Sequence, residues 1–347
     1  MFEAVILACL VSAPEICRAQ LIPGYEAADL AGCAGALRAR PPALPRDPGL
    51  QFADNPECRA AGPALDMQEA APGVFVHMGA VEEPDTGNLG DVSNLGFVVG
   101  ETHVAVIDTG TARWMGEALW RAIRQRTELP VSHVILTHMH PDHVLGATAF
   151  AGTGAQIVGH DALPRALLDR QANYIESLDR LIGAQAMIGT RGPVIDVTVD
   201  EALTLDLGAR RVHLRAWPLA HTGSDITVFD ETSGTLFTGD LVFHRHTPAL
   251  DGSLTGWRAV LAEMATLEVA RIVPGHGGPV LDWPEGAEGL NRYLKVLETD
   301  TRAAIDAGTR LGEAVETIGA EERGNWALFE AYNPRNATVA FTELEWD

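Results

Sequence analysis

The densest chemistry in the chain is the run His138-Met139-His140-Pro141-Asp142-His143. Imidazole nitrogen and carboxylate oxygen are the donors that a borderline cation such as zinc prefers. On a tight loop alternate side chains can converge. His138 and His140 would then face one metal, and Asp142 and His143 a second. Pro141 narrows the backbone freedom of that loop. Two ions need further ligands, and His221, Asp240 and His276 offer them. Each stands near a glycine that lets the chain turn sharply and aim the side chain into a cleft. A water shared by two zinc ions loses its proton near neutral pH, which would supply a hydroxide for attack on a carbonyl. No Ser or Cys nucleophile sits in a suitable motif.

The elements that would carry these residues are legible from about residue 67. Val74–His77, Asn94–Val99, His103–Ile107, His133–Leu136 and 156–158 read as strands, rich in β-branched and aromatic residues. So do Leu203–Leu207, Arg211–Trp217, Asp225–Phe229, Thr235–Phe237 and Arg271–Val273. Trp114–Arg126 and Gly256–Leu267 have helical periodicity, 161–189 reads as two helices, and 285–318 is mostly helical. His221, Asp240 and His276 then follow or end strands. Strands with interspersed helices suggest two sheets sandwiched between helices.

The first 66 residues differ. They hold all four cysteines, Cys9, Cys17, Cys33 and Cys58, none spaced as CxxC. One or two disulfides, and so an oxidising compartment, fit this better than a zinc ribbon. Four reduced thiols in a cytoplasmic protein remain the alternative. Phe2–Val11 reads as a strand rather than a secretory signal, because no basic segment precedes it and Glu3 interrupts it. If the protein is exported, its signal lies outside this sequence. The Pro-rich stretch Arg40–Pro48 can continue neither a helix nor a central strand. The expected organisation is a small Cys-containing module and linker over 1–66, then one hydrolase domain over 67–347. The net charge of -22 excludes nucleic acid as a ready ligand. No apolar run is long enough to cross a bilayer.

Taken together, Asp108-Thr109-Gly110, the His138–His143 run, His221, Gly239-Asp240 and Gly275-His276-Gly277 resemble the five motifs of the metallo-β-lactamase superfamily, in their usual order. The resemblance implies an α+β fold, a four-layer αββα sandwich. It implies that His138, His140 and His221 hold a first zinc, that Asp142, His143 and His276 hold a second, and that Asp240 bridges them. Asp142 would also orient the nucleophile, and Asp108 would order the metal loop without ligating. Asp240 argues against the zinc β-lactamases, which generally lack a bridging aspartate. Glyoxalase II-like thioesterases keep it.

Outside the metal motifs, Gly239–Phe243, Asp251–Trp257 and Asn333–Trp346 are similar to the quinoprotein relay system zinc metallohydrolases, also called SoxH-related. The Cys-bearing N-terminus fits their second subgroup. That resemblance implies a periplasmic or otherwise exported enzyme working beside a quinoprotein dehydrogenase or cytochrome partner. His244, Arg245 and His246 are candidate substrate contacts. Helices within 161–189 and the stretch Gly87–Asp91 are candidates for the roof and mouth of the cleft. The leading expectation is a dinuclear zinc hydrolase of a small ester, thioester or amide-like substrate. An iron enzyme similar to persulfide dioxygenases and a non-catalytic metal-binding relay protein are the alternatives.

Overall fold

The computed structural model describes residues 1–43, 47–278 and 280–346. Leu44, Pro45 and Arg46, inside the Pro-rich stretch, lie outside the described residues, as do Pro279 and Asp347.

Two large sheets face each other. The first has seven strands in the order Val197–Val199, Gln156–His160, Val131–Ile135, Val104–Ile107, Leu95–Val99, Val74–His77 and Gln68–Ala71. The second has six, in the order Ala202–Asp206, Arg211–Ala216, Ile226–Asp230, Thr235–Phe243, Arg271–His276 and Leu281–Asp282. Side chains on a strand alternate between faces, so each strand feeds two cores. Val98, Ala105, Ile107 and Val158 meet Leu214, Val228, Phe237 and Val273 between the sheets. Phe97, Val104 and Val106 point outward onto helices Arg113–Arg124 and Leu163–Ile182. Leu236 and Ile272 point outward onto helices Leu254–Met264, Glu288–Asp306 and Phe329–Leu344. The result is the expected αββα sandwich. Burial on both faces explains why these strands read as continuous apolar runs.

Most sequence-based elements appear with ends shifted by one to three residues. One shift matters for the site. The strand read as Thr235–Phe237 continues to Phe243, buried throughout, so Asp240 lies within it rather than at its end. Gly239, at φ 51°, and irregular pairing with Arg271–His276 let the strand continue past the kink.

A third, smaller sheet forms at the N-terminus. Phe2–Leu10 is its centre, flanked by Cys17–Ala27 on one side and by Leu50–Phe52 and Glu57–Ala60 on the other. Cys9–Cys17 links two paired strands, and Cys33–Cys58 ties helix Leu30–Ala39 to the sheet. No helix among the described residues is long and apolar enough to cross a membrane.

Candidate metal centre

All seven expected ligands converge, in two groups. His138, His140, His221 and Asp240 form one, and Asp142, His143 and His276 the other, with the donor atoms of each group within 4.8 Å of one another. Asp240 sits between them. Its Oδ2 lies 3.6 Å from His138 Nε2, 3.5 Å from His221 Nε2 and 3.4 Å from His276 Nε2, and its Oδ1 lies 3.2 Å from His143 Nε2. Asp142 Oδ2 is 3.3 Å from His276 Nε2 and 3.5 Å from His143 Nε2. Donors bound tetrahedrally to zinc at about 2.0–2.1 Å stand about 3.3 Å apart, so these spacings suit that ion. Gly275 makes the approach feasible, since a Cβ there would stand 1.9 Å from Asp240 Oδ1.

Each imidazole is held by its other nitrogen, as metal-binding histidines usually are. His143 Nδ1 donates to Asp108 Oδ2 at 2.8 Å. The same carboxylate accepts from the Thr137 backbone N–H and hydroxyl, both at 2.8 Å. Asp108 does this from a left-handed backbone, φ 56°, which is unfavourable for a non-glycine residue and marks a constrained site. His138 Nδ1 meets Thr137 Oγ1 at 3.0 Å, His221 Nδ1 donates to the Ala249 carbonyl at 2.6 Å, and His276 Nδ1 donates to the Val92 carbonyl at 2.9 Å. His140 turns the other way. Its Nδ1 is 3.1 Å from His221 Nε2, inside the cluster, while its Nε2 faces Asp251 Oδ2 at 3.2 Å.

Several of these supports went unread in the sequence. Asp251 belongs to a quoted motif, yet its contact with His140 was not foreseen. Asn336 donates to the Pro248 carbonyl and accepts from Leu250 N–H, fixing the turn whose Ala249 carbonyl orients His221. Asn94 donates to the Pro274 and Gly277 carbonyls on either side of His276, and Ser93 donates to the Asp142 carbonyl. Ser93, Asn94 and Asn336 are polar and buried and Asp251 is half-buried, but only the fold brings them beside the histidines.

The electrostatics of the cluster call for positive charge. Burial, reinforced by His143, keeps His138 well below the ordinary histidine range, and burial holds His221 down at about 3 despite Asp240. Burial opposes protonation of His143 and His276 too. There the carboxylates win: Asp240, Asp142 and Asp108 raise His143 well above its usual value, and Asp240 with Asp142 raises His276 to about 10. Asp240 itself is driven far below the carboxylate range by His276, His143 and His138, against its burial. His138 Nε2 and Asp240 Oδ1 are buried with no hydrogen-bond partner. A buried lone pair without a donor is costly, and a cation between these two atoms would satisfy both. The donor set and the two orphaned atoms therefore fit metal ions.

A cavity of about 460 Å³ opens above the cluster, with Asp142, Asp240 and His276 in its floor. Tyr174, Leu178 and Leu181 from helix Leu163–Ile182 form one wall, which bears out a roofing role for that helix, and Tyr332 and Val339 from Phe329–Leu344 form another. Glu82, Glu83 and Pro84 stand in its lining, not Gly87–Asp91, which form a turn on the Asp85 carboxylate. Of the three candidate contacts only His246 lines the cavity. The backbone reverses at Arg245, φ 70°, sending His246 inward, while His244 Nδ1 accepts from Gly278 N–H on the far side.

Comparison with known proteins agrees with this geometry. A curated hydroxyacylglutathione hydrolase from Albidiferax ferrireducens is 34% identical over 142 residues, covering 40% of this chain and 49% of the relative. The match thus spans about half the length of that relative. Solved structures of a metallo-β-lactamase from Pontibacter korlensis, of TMB-1 and of DIM-1 metallo-β-lactamase superpose with TM-scores of 0.54, 0.52 and 0.53 at 20%, 20% and 17% identity. Each covers 67% of this chain, and 99%, 98% and 98% of the respective structure. At such identities they speak for the fold alone. The family model of the metallo-β-lactamase superfamily matches residues 89–276, more than half of the sequence and all seven clustered residues, and the chain belongs to that superfamily.

Proposed function

We propose that the protein is a dinuclear zinc hydrolase acting on the carbonyl of a small ester, thioester or amide-like substrate. The observation that carries this reading is Asp240, one carboxylate within 3.6 Å of nitrogens from both groups. A carboxylate so placed suits two ions better than one. His138, His140 and His221 would hold the first ion and Asp142, His143 and His276 the second. Zinc bound there would acidify water and polarise the substrate carbonyl.

The chain's own groups do the rest. Asp142 reaches the cavity while touching His143 and His276, so its Oδ2 can orient the attacking water. Asp108 and Asp251 fix the ring orientations of His143 and His140. Phe243, Leu250 and Leu178 line an apolar cavity that limits bulk water, which strengthens every polar interaction inside. The retained aspartate at 240 and the hydroxyacylglutathione hydrolase relative favour ester or thioester over β-lactam substrates.

We also place the chain among the SoxH-related hydrolases of quinoprotein systems. The Asp251 and Asn336 motifs support this, because both have work to do beside the histidines. Two disulfides support export to an oxidising compartment such as the periplasm. The test is elemental analysis of protein purified without added metal, combined with turnover of chromogenic esters, a thioester and a cephalosporin. About two zinc ions per chain with ester or thioester turnover is expected. About one iron per chain, with oxygen uptake on a persulfide and no hydrolysis, would overturn the proposal.

A further inference from the structure

Two of the three rings in the first group hang on one short stretch of chain. His221 Nδ1 donates to the Ala249 carbonyl at 2.6 Å, and His140 Nε2 faces Asp251 Oδ2 at 3.2 Å. The stretch lies directly on the turn that carries His221. Asp251 N–H donates to the His221 carbonyl at 3.1 Å, and Ser253 N–H to the Ala220 carbonyl at 2.9 Å. Its side-chain anchors come from helix Phe329–Leu344. Asn336, only 1% exposed, uses its whole amide there. Oδ1 accepts from Leu250 N–H at 2.9 Å, and Nδ2 donates to the Pro248 carbonyl at 2.7 Å and to the Tyr293 hydroxyl at 2.9 Å. Tyr293 in turn donates to Asn333 Oδ1 at 2.8 Å, so the amide is held from behind. About two helical turns further along, Glu343 takes the other end of the stretch. Its Oε1 accepts from the Ser253 hydroxyl at 2.8 Å and the Thr255 hydroxyl at 2.6 Å, and its Oε2 from Leu254 N–H at 2.6 Å. That carboxylate faces the N-terminus of helix Leu254–Met264, where negative charge is favoured.

The second group is held from elsewhere. Asp108 orients His143 and the Val92 carbonyl orients His276, and both stand beside strands of the seven-stranded sheet. We propose that Asn336 and Glu343 are positioning residues that set the metal affinity of the first group and leave that of the second unchanged, although neither is a donor. This rests on the two-metal reading and deepens it. Outer partners of a metal-binding histidine fix its ring, and their loss weakens binding. The outer partner of His221 is a backbone carbonyl, which no side-chain change at Ala249 removes. Control of it lies with whatever holds the peptides on either side, and a single side chain, Asn336, holds both Pro248 and Leu250. Glu343 then limits the sliding of Asp251, and with it the grip on His140.

Zinc affinity, read by competition with a chromogenic chelator, tests this in two full-length parent chains that each keep one group. His276→Ala keeps the first and His138→Ala the second. Adding Asn336→Leu should weaken zinc about 10–100-fold in the His276→Ala chain and leave the His138→Ala chain unchanged. Glu343→Ala should act in the same direction and serves if Asn336→Leu does not fold. Glu343→Gln, which keeps one acceptor oxygen, should recover part of the loss. A role in packing alone would weaken both groups alike. Equal losses in the two parents, or no loss in the His276→Ala chain, would therefore overturn the inference and leave the metal centre standing. Absence of zinc binding in both parents would sink the two-metal reading and this inference with it.

Discussion

At the seam between the N-terminal sheet and helix Arg113–Arg124, buried carboxylates meet guanidinium groups, Glu3 with Arg121 and Glu117 with Arg18 and Arg113. Glu3 accepts from Arg121 Nε at 2.7 Å and from Nη2 at 3.0 Å. Glu117 accepts from Arg18 Nη1 at 2.7 Å and from Arg113 Nε at 2.8 Å. Arg113 spends its remaining groups on the Thr148 and Leu21 carbonyls. Arg18 keeps one unpaired N–H, but every carboxylate oxygen there has a guanidinium donor. The cluster around Asp240 is as deeply buried, yet its nitrogens and oxygens crowd at 3.1–3.6 Å and two of them have no partner. Burial of charge is common to both. What separates a joint from a binding site is whether the chain itself completes the bonding.

The sharpest way to break the comparison is to remove the bridge. Asp240→Asn keeps the shape and takes away the charge shared by both groups. Zinc content should fall below two per chain, and kcat/KM by about three orders of magnitude or more, since several kcal/mol of Lewis-acid stabilisation are lost. Elemental analysis and thioester turnover check it. Full zinc content with full activity would remove Asp240 from the site.

The matching change at the seam should show the opposite signature. Glu3→Ala leaves Arg121 buried and unpaired, which costs about 3–5 kcal/mol of stability. Denaturant or thermal unfolding would read that loss, while zinc content stays at about two. Replacing Glu3 and Arg121 together by Met should restore most of it, because a well-packed apolar pair can match a buried ion pair. A Glu3→Ala protein as stable as the wild type would mean that the seam contributes little.

Between these extremes lie the residues that only orient. Asp251→Asn weakens the hold on His140 and also the tie to Arg170, whose Nη1 lies 2.5 Å from Asp251 Oδ2. Loss of an outer partner of a metal-binding histidine typically lowers metal affinity or activity by about 10–100-fold. Zinc titration should show weaker binding with the fold unchanged by circular dichroism. Unaltered affinity and activity would assign Asp251 to the helix Leu163–Ile182 alone.

How much of this was legible depends on whether the signal was local. The His138–His143 run needed six consecutive residues, and His221, Asp240 and His276 needed only strand signals and glycines around them. The two sheets were legible because their strands are β-branched runs buried on both faces. The contacts of Asp251, Asn336 and Asn94 were not, since each acts on a residue dozens of positions or more away, and even the motifs that hold Asp251 and Asn336 do not show what those residues touch. Asp240 read as a strand end because Gly239 looks like a terminator, and only pairing with Arg271–His276 carries the strand past it. The strand Cys17–Ala27 and helix Leu30–Ala39 were missed for a related reason. The strand holds a proline and a glycine and the helix two glycines, and pairing with Phe2–Leu10 and the Cys33–Cys58 link override those weak propensities.

The smallest expected effect tests the comparison at a third buried titratable group, His77. Its Nε2 lies 2.7 Å from Asp91 Oδ1, and its Nδ1 lies 2.9 Å from the Asp66 carbonyl. Two acceptors around one ring suit the protonated form. Burial pushes the pKa down, but the hydrogen bond and charge of Asp91, aided by Asp66, outweigh it and the value is raised above 6.5. The folded protein therefore holds this proton more tightly than the unfolded chain does. Its contribution is complete below the unfolded value of about 6.5 and fades as pH rises through the raised one. His77→Gln should accordingly lose about 1 kcal/mol more at pH 5.5 than at pH 9, a difference readable from paired urea titrations. A larger loss at pH 9 would reverse the assignment and make His77 a neutral hydrogen-bonding residue.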